Sequence, residues 1–170
     1  MSWIALHGPI GSGKTTLAKS LLDTHLWINF TDLLKEKACL ALYPYRPTTV
    51  REMHLNKEFF RPFIQAFGDV IDFTDDPKFI HEVLVGWNEN DRPDCVFDNI
   101  RSVSQAMTLR ALGFKVVKLD APDALLTKRT QASEASRSHS IENPLPEHLI
   151  DVHLDASLPL SQQIVQVKTI

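Results

Sequence analysis

Near the start of the chain the run Gly8-Pro9-Ile10-Gly11-Ser12-Gly13-Lys14-Thr15-Thr16 fits the pattern G-x-x-x-x-G-K-[ST] with one extra internal glycine, and it constrains everything that follows. A loop that wraps a polyphosphate needs backbone torsions closed to most residues, and its N–H groups must reach oxygen with no Cβ in the way. Gly8, Gly11, Ser12, Gly13, Lys14, Thr15 and Thr16 are therefore the candidate phosphate cradle. Lys14 is placed to reach the β and γ phosphates, and the Thr15 hydroxyl to hold Mg2+. Trp3-Ile4-Ala5-Leu6 reads as a short buried strand just before the loop, and Leu17, Ala18, Leu21 and Leu22 recur at one-face helical spacing just after it. Strand, loop and helix in that order turn a helix N-terminus, with its partial positive charge and unbonded N–H groups, toward the phosphates.

With 170 residues, 44% of them hydrophobic, the chain reads as a single domain over residues 1–170 with a core sheet covered on both faces. A formal charge of −3 and a pI near 6.1 argue against binding along a nucleic-acid backbone. Cys39 falls in a predicted helix and Cys95 at a strand start, with neither a C-x-x-C spacing nor a histidine pairing, so both read as reduced thiols. No run approaches about 18 apolar residues, and a core strand begins almost at residue 1, so the expectation is a soluble, cytoplasmic protein without a membrane partner. A homodimer is the default oligomer, although no long apolar surface stripe demands one.

Leu26 to Phe30 suits a second buried strand, after which Thr31 is expected to cap a helix from Asp32 to about Leu42. Residues 43–94 are the least regular stretch. Helical patterns around Thr49–Phe67 and Pro77–Trp87 are separated by Gly68 and the acidic Asp72–Asp76 run, which together read as a helical excursion between strands. Cys95-Val96-Phe97 is a short strand ending in Asp98, and Ser102 opens a helix with Val103, Ala106 and Met107 on one face and Gly113 beyond its end. Lys115–Leu119 is the next strand, Asp123 to about Ala132 the next helix, and 133–146 an aperiodic polar segment of lid character. Leu149–Leu154 and Ser161–Val167 read as a last strand and a closing helix. The alternation predicts an α/β fold on a five-stranded parallel sheet, with ligands at the carboxyl ends of its strands.

Four further segments fall in a telling order: Asn29-Phe30-Thr31-Asp32-Leu33-Leu34-Lys35, Arg61-Pro62-Phe63-Ile64-Gln65-Ala66-Phe67-Gly68, Asn99-Ile100-Arg101-Ser102-Val103-Ser104-Gln105-Ala106 and His139-Ser140-Ile141-Glu142. With the glycine-rich loop, the chain resembles the phage-type deoxynucleoside monophosphate kinases of the adenylate-kinase-like P-loop group. Gln105 stands where that family usually has Glu, Ser102 where it has Phe and Ile141 where it has Ser. The resemblance implies a P-loop NTPase fold of the nucleoside monophosphate kinase kind, with a helical acceptor-binding insertion at about 43–94 and a short lid at about 129–146. It implies transfer from ATP to a (deoxy)nucleoside monophosphate, and an acceptor site that includes Asp32, Arg61, Gln65, Asp98 and Arg101.

Chemistry read from the residues reaches a similar place. Phosphoryl transfer asks a protein for two anions held in line while charge is spread and neutralised. Lys14 and magnesium serve the donor, and Arg101, just past a strand end beside Asp98, is placed for a two-pronged grip on an acceptor phosphate. Arg129 and Arg137 flank the lid segment as candidates for stabilising the transferring group, and Asp98 joins Thr15 as a magnesium-shell residue. Bland alternatives stand beside these: Arg61 as a salt-bridged helix surface residue, Asp32 as a carboxylate stabilising its own helix, and His139 with Glu142 as loop polar residues. Phe59, Phe60, Phe63 and Phe67 offer either a stacking face or core, and His7 has no assigned role. A kinase of another acceptor, a small metabolite or a polynucleotide 5′ end, and a noncatalytic nucleotide-binding regulator are the rival readings.

Overall fold

A computed structural model describes residues 2–71, 77–84, 93–129 and 144–170. Its five strands are β1 (Trp3–His7), β2 (Leu26–Asn29), β3 (Cys95–Asp98), β4 (Lys115–Asp120) and β5 (Val152–Asp155), all parallel in the order β2-β3-β1-β4-β5. The described helices are α1 (Lys14–Ser20), α2 (Phe30–Leu42), α3 (Val50–Leu55), α4 (Lys57–Val70), α5 (Lys78–Leu84), α6 (Val103–Ala111), α7 (Asp123–Arg129) and α8 (Leu160–Val167).

Side chains alternate across the sheet with the two-residue period of a strand. Ala5, Phe97 and Val116 face one core with Phe30, Leu34, Met53, Phe60, Ile64 and Leu109, while Ile4, Leu6, Val96, Val117 and Leu119 face the other with Leu17, Ala18 and Val167. Both faces are therefore apolar and covered, which is why these strands read as continuous hydrophobic runs.

The strand order fixes where a ligand can bind. The connection after β1 leads by way of α1 to β2 on one side, and the connection after β3 leads by way of α6 to β4 on the other, so a crevice opens beyond the carboxyl ends of the neighbouring strands β1 and β3. The glycine-rich loop follows β1 and the Asp98–Arg101 turn follows β3, so both sit at that crevice.

Several boundaries differ from the sequence expectation, each for a local reason. Asn29, and not Thr31, caps α2: its side chain accepts from Thr31 N at 3.1 Å, while the Thr31 hydroxyl accepts from Asn99 Nδ2 at 3.0 Å. The pattern around Thr49–Phe67 is two helices, joined at Asn56 and running on through Pro62 and past Gly68 to Val70. Gly68 is thus inside a helix instead of ending one, and it is buried. Val103 and Met107 are exposed, because α6 buries the stripe of Gln105, Ala106 and Leu109. Leu22 is exposed because α1 has already ended at Ser20. The expected strand 149–154 starts only at Val152, after a 3-10 turn at Glu147–Leu149. The Asp72–Asp76 run and the greater part of the expected lid, 130–143, lie outside the described residues.

Candidate active site

The loop after β1 takes backbone torsions that side chains resist. Gly8 has φ +144°, and a Cβ built there would stand 2.8 Å from the Leu119 carbonyl oxygen, so strand β4 leaves room for glycine alone. Gly13 caps α1 in the left-handed region, at φ 97°, with no side-chain cap bond, so no side chain competes for the first-turn N–H groups. Lys14 is buried, and its Nζ donates to the Gly8 and Pro9 carbonyls at 2.6 and 2.9 Å. Burial pulls its pKa below the ordinary lysine value, the charges of Arg101 and Lys57 add to the pull, and Asp98 opposes it.

Across the crevice, Asp98 is 1% exposed and accepts from the Thr15 hydroxyl at 2.7 Å. Its other carboxylate oxygen is buried without a hydrogen bond; the Trp27 indole is close enough to favour the ionised form but falls outside bonding geometry. Burial is the larger effect and raises the Asp98 pKa. A hydroxyl oxygen beside a buried carboxylate with a spare oxygen is the hard donor set that magnesium takes with phosphate and water as further ligands. The expected pair Thr15 and Asp98 therefore fits the metal. Among the described residues no cluster of three or more His, Cys, Asp or Glu side chains offers a rival metal site.

The turn after Asp98 is held from all sides. Asn99 sits at φ 76°, a left-handed conformation uncommon outside glycine. The N–H groups of Asn99 and Ile100 both donate to the Leu6 carbonyl, at 3.2 and 3.0 Å. Ser102 caps α6 by accepting from Gln105 N at 3.1 Å, and the Gln105 side chain reaches back to accept from Arg101 N at 2.8 Å. This reciprocal bonding is a variant of the capping box, and it needs an oxygen that Gln supplies as well as Glu. Arg101 projects into the cleft, where burial brings its pKa down to about 10, offset in part by Asp98.

One cleft of about 940 Å³ joins these parts. Its walls contain loop residues 10–16, the ends of β2 and β3, one face each of α2, α3 and α4, the tip of α7 and the loop after β5. Lys57, Arg61, Gln65 and Gly68 all line it from α4. Arg61 bonds to Glu58 (2.6 and 3.2 Å), as the salt-bridged reading has it, while its side chain is only 16% exposed and lines the cleft. Asp32 lines up with Asn29 Nδ2 at 2.9 Å, Lys35 Nζ at 2.8 Å and His54 Nε2 at 2.9 Å, next to the cleft residues Lys35 and His54. Phe60 is buried at the cleft wall, while Phe59 is exposed and Phe63 stacks on Phe67. Arg129 ends α7 with its guanidinium 3.8 Å from where a Gly13 Cβ would stand, at the lip of the phosphate loop. Arg137, His139 and Glu142 lie outside the described residues.

Three contributors were not anticipated. Lys57 is exposed at the cleft wall, yet partial desolvation together with the charges of Arg61, Lys35 and Arg101 lowers its pKa against the opposing Glu58. Lys35 is the second. The third is the loop Ser157–Leu160, shaped by Gln163, whose Nε2 donates to the Leu158 carbonyl at 2.7 Å. Lys57, Arg61 and Gln65 stand at i, i+4 and i+8, a spacing legible in the sequence as one stripe of a helix.

The sequence pattern of the AAA domain family matches residues 4–147, a span holding the glycine-rich loop, the Asp98 turn and Arg129. The chain belongs to the AAA domain family. No curated protein matches the sequence. The AAA domain of this chain and the two elements after it, β5 and α8, together resemble solved kinases in fold. An unliganded sugar kinase from Janibacter sp. HTCC2649 superposes with a TM-score of 0.52 at 15% identity, covering 99% of this chain and 93% of that one. Shikimate kinase from Aquifex aeolicus superposes with a TM-score of 0.51 at 12% identity, covering 98% and 93%. The fold is thus that of the P-loop kinases, as the motif order implies. No described helix of this AAA domain chain is long and apolar enough to cross a membrane.

Proposed function

We propose that the chain is an ATP- and magnesium-dependent nucleoside monophosphate kinase, with deoxynucleotides as the expected acceptors. The observation that carries this reading is a second group of cations in the same cleft as the phosphate loop. The Arg61 charge lowers the proton affinity of both Arg101 and Lys57 there, and Arg101 lowers that of Lys57 further, a crowding of like charge that an anionic ligand relieves. One anion site binds a nucleotide; two in one cleft suit transfer between phosphates. Gly8–Thr16 would cradle the polyphosphate of ATP, with Thr15 and Asp98 holding magnesium, which when bound supplies charge neutralisation between the β and γ phosphates. Lys14 would carry the charge that builds on the transferring group, and Arg129, at the lip of the loop, would add a further donor once water is excluded. The buried apolar wall of Leu34, Met53, Phe60 and Ile64 beside Gln65 suits a flat base.

A second reading has one observation in its favour. A hydroxyl acceptor needs a base, and Asp32, held by Asn29, Lys35 and His54, is a carboxylate just behind the acceptor wall, beside the lining residues Lys35 and His54 and not itself among them. The sugar kinase and shikimate kinase of similar fold are named for acceptors of other kinds.

ADP formation from ATP and magnesium, measured with each common ribo- and deoxynucleoside monophosphate and with a panel of sugars and hydroxy acids, separates the two. Turnover with monophosphates supports the kinase proposed; turnover only with hydroxyl acceptors overturns it. Asp32→Asn sharpens the result, since loss of a general base lowers kcat by about 100-fold or more, whereas a phosphate acceptor needs no base there.

A further inference from the structure

His7, the last residue of β1, is 6% exposed and makes two long-range bonds. Its Nδ1 lies 3.1 Å from the Ile100 carbonyl oxygen, and its Nε2 accepts from Leu145 N at 3.2 Å. A carbonyl only accepts, so Nδ1 carries the proton; an N–H only donates, so Nε2 is bare. The neutral Nδ1–H tautomer alone satisfies both. Burial, with the charges of Lys14, Lys118 and Arg101, keeps the imidazole neutral by lowering its pKa against the Ile100 bond.

The two arms reach different places. Ile100 contributes the carbonyl of the very peptide whose N–H belongs to Arg101 and bonds Gln105. That peptide follows Asn99, which is held in a left-handed conformation. The Leu145 arm pins a buried leucine that packs with Leu149 in the core on the α6 side of the sheet. The first arm bears on the acceptor arginine, the second on packing.

We propose that His7 is a positioning residue for acceptor binding: its Nδ1–H, by fixing the Ile100 carbonyl, sets the direction in which Arg101 leaves the chain toward the acceptor phosphate. This rests on the proposed role of Arg101, and it adds to the site a residue one position ahead of the phosphate loop. It also joins the two ends of the cleft, because the next residue, Gly8, accepts from Lys14.

Two near-isosteres separate the arms. Asn carries its amide nitrogen near the Nδ1 position and keeps the donation to Ile100; Gln carries its amide near Nε2 and keeps acceptance from Leu145. Inorganic phosphate is titrated calorimetrically onto protein saturated with a non-hydrolysable ATP analogue. His7→Gln should bind phosphate roughly five- to tenfold more weakly, the loss of about one buried hydrogen bond, and His7→Asn should stay within about twofold of the parent. Exchange of the Leu145 amide should accelerate in His7→Asn and not in His7→Gln. Equal weakening in both variants, weakening in neither, or no phosphate binding by the parent overturns the proposal. Nitrogen NMR of the parent imidazole gives a test that needs no variant to fold: a protonated Nε2 with a bare Nδ1 overturns it as well. If no monophosphate supports turnover while the phosphate titrations behave as stated, the kinase reading fails and the positioning role stands.

Discussion

At one end of the cleft the phosphate cradle is a single run of chain, Gly8 to Thr16, shaped by its own glycines. At the other end Lys35, Lys57, Arg61 and Arg101 arrive from α2, α4 and the turn after β3, and none is a sequence neighbour of the next group. The first end owes its geometry to backbone torsions, which are a local property. The second exists only once the sheet has brought β3 between β1 and β2 and the helices have packed on it. A site of the first kind announces itself in a motif; a site of the second kind is a meeting of side chains from separate elements, of which only the α4 stripe has a spacing of its own. The two ends should also fail differently. Damage at the loop strikes the transferred group itself, and damage at the far end weakens capture of the acceptor.

The loop gives the largest effect. Lys14→Ala should lower kcat on the order of 1000-fold, the scale of a lost preorganised charge at the transition state. Thermal unfolding should show the fold intact and no less stable, because the amine removed is buried with its charge disfavoured. Retention of most of the turnover would remove the distinction between the two ends.

The far end should give a split in KM. Arg101→Ala should raise the acceptor KM about 100-fold and the ATP KM by no more than about threefold, the worth of a charge-assisted bidentate contact. Lys57→Met should raise the acceptor KM about tenfold in the same steady-state measurement. Lys57→Met should also hold or raise the melting temperature, since burial and three neighbouring cations oppose the charge it removes. Equal effects on both substrates would mean that the second cation group does not belong to the acceptor.

The same contrast explains what could be read before the fold was known. The sheet, its parallel sense and the phosphate loop were legible because apolar runs, glycines and Lys-Thr carry local signals, and Ser102 opened its helix as its capping pattern implied. Asp98 and Thr15 were paired on chemistry, and stand 2.7 Å apart. Asn29 was passed over as a cap because Thr31 is an equally good one by type; what decides is the Asn99 amide, 68 positions away, which occupies the threonine hydroxyl. Lys57 carries no signal beyond its i+4 relation to Arg61, because a lysine at a helix start is ordinarily solvated and only the packing of α4 against α2 brings it near Lys35 and Arg101. His7 has no role legible in the sequence for the same reason: its partners, Ile100 and Leu145, are 93 and 138 positions distant.

The smallest predicted effect bears on whether the two ends are independent at all. ATP needs Lys14 as an ammonium, and in the free protein its pKa is lowered first by burial and then by Arg101 and Lys57. As pH rises through that lowered value the neutral amine grows, so ATP binding has to take up a proton and its affinity falls, by at most about tenfold per pH unit. Calorimetric titration of ATP in two buffers of different ionisation enthalpy reads the uptake directly, and Lys14→Arg, which stays charged, should abolish it. Lys57→Met removes one of the cations that depress Lys14, and should move the window of uptake to higher pH. If it leaves the window in place, the donor end is electrostatically isolated and the cleft is two sites side by side; if the window moves, arrival of an anion at the acceptor end itself recharges Lys14, and acceptor and ATP bind with positive coupling.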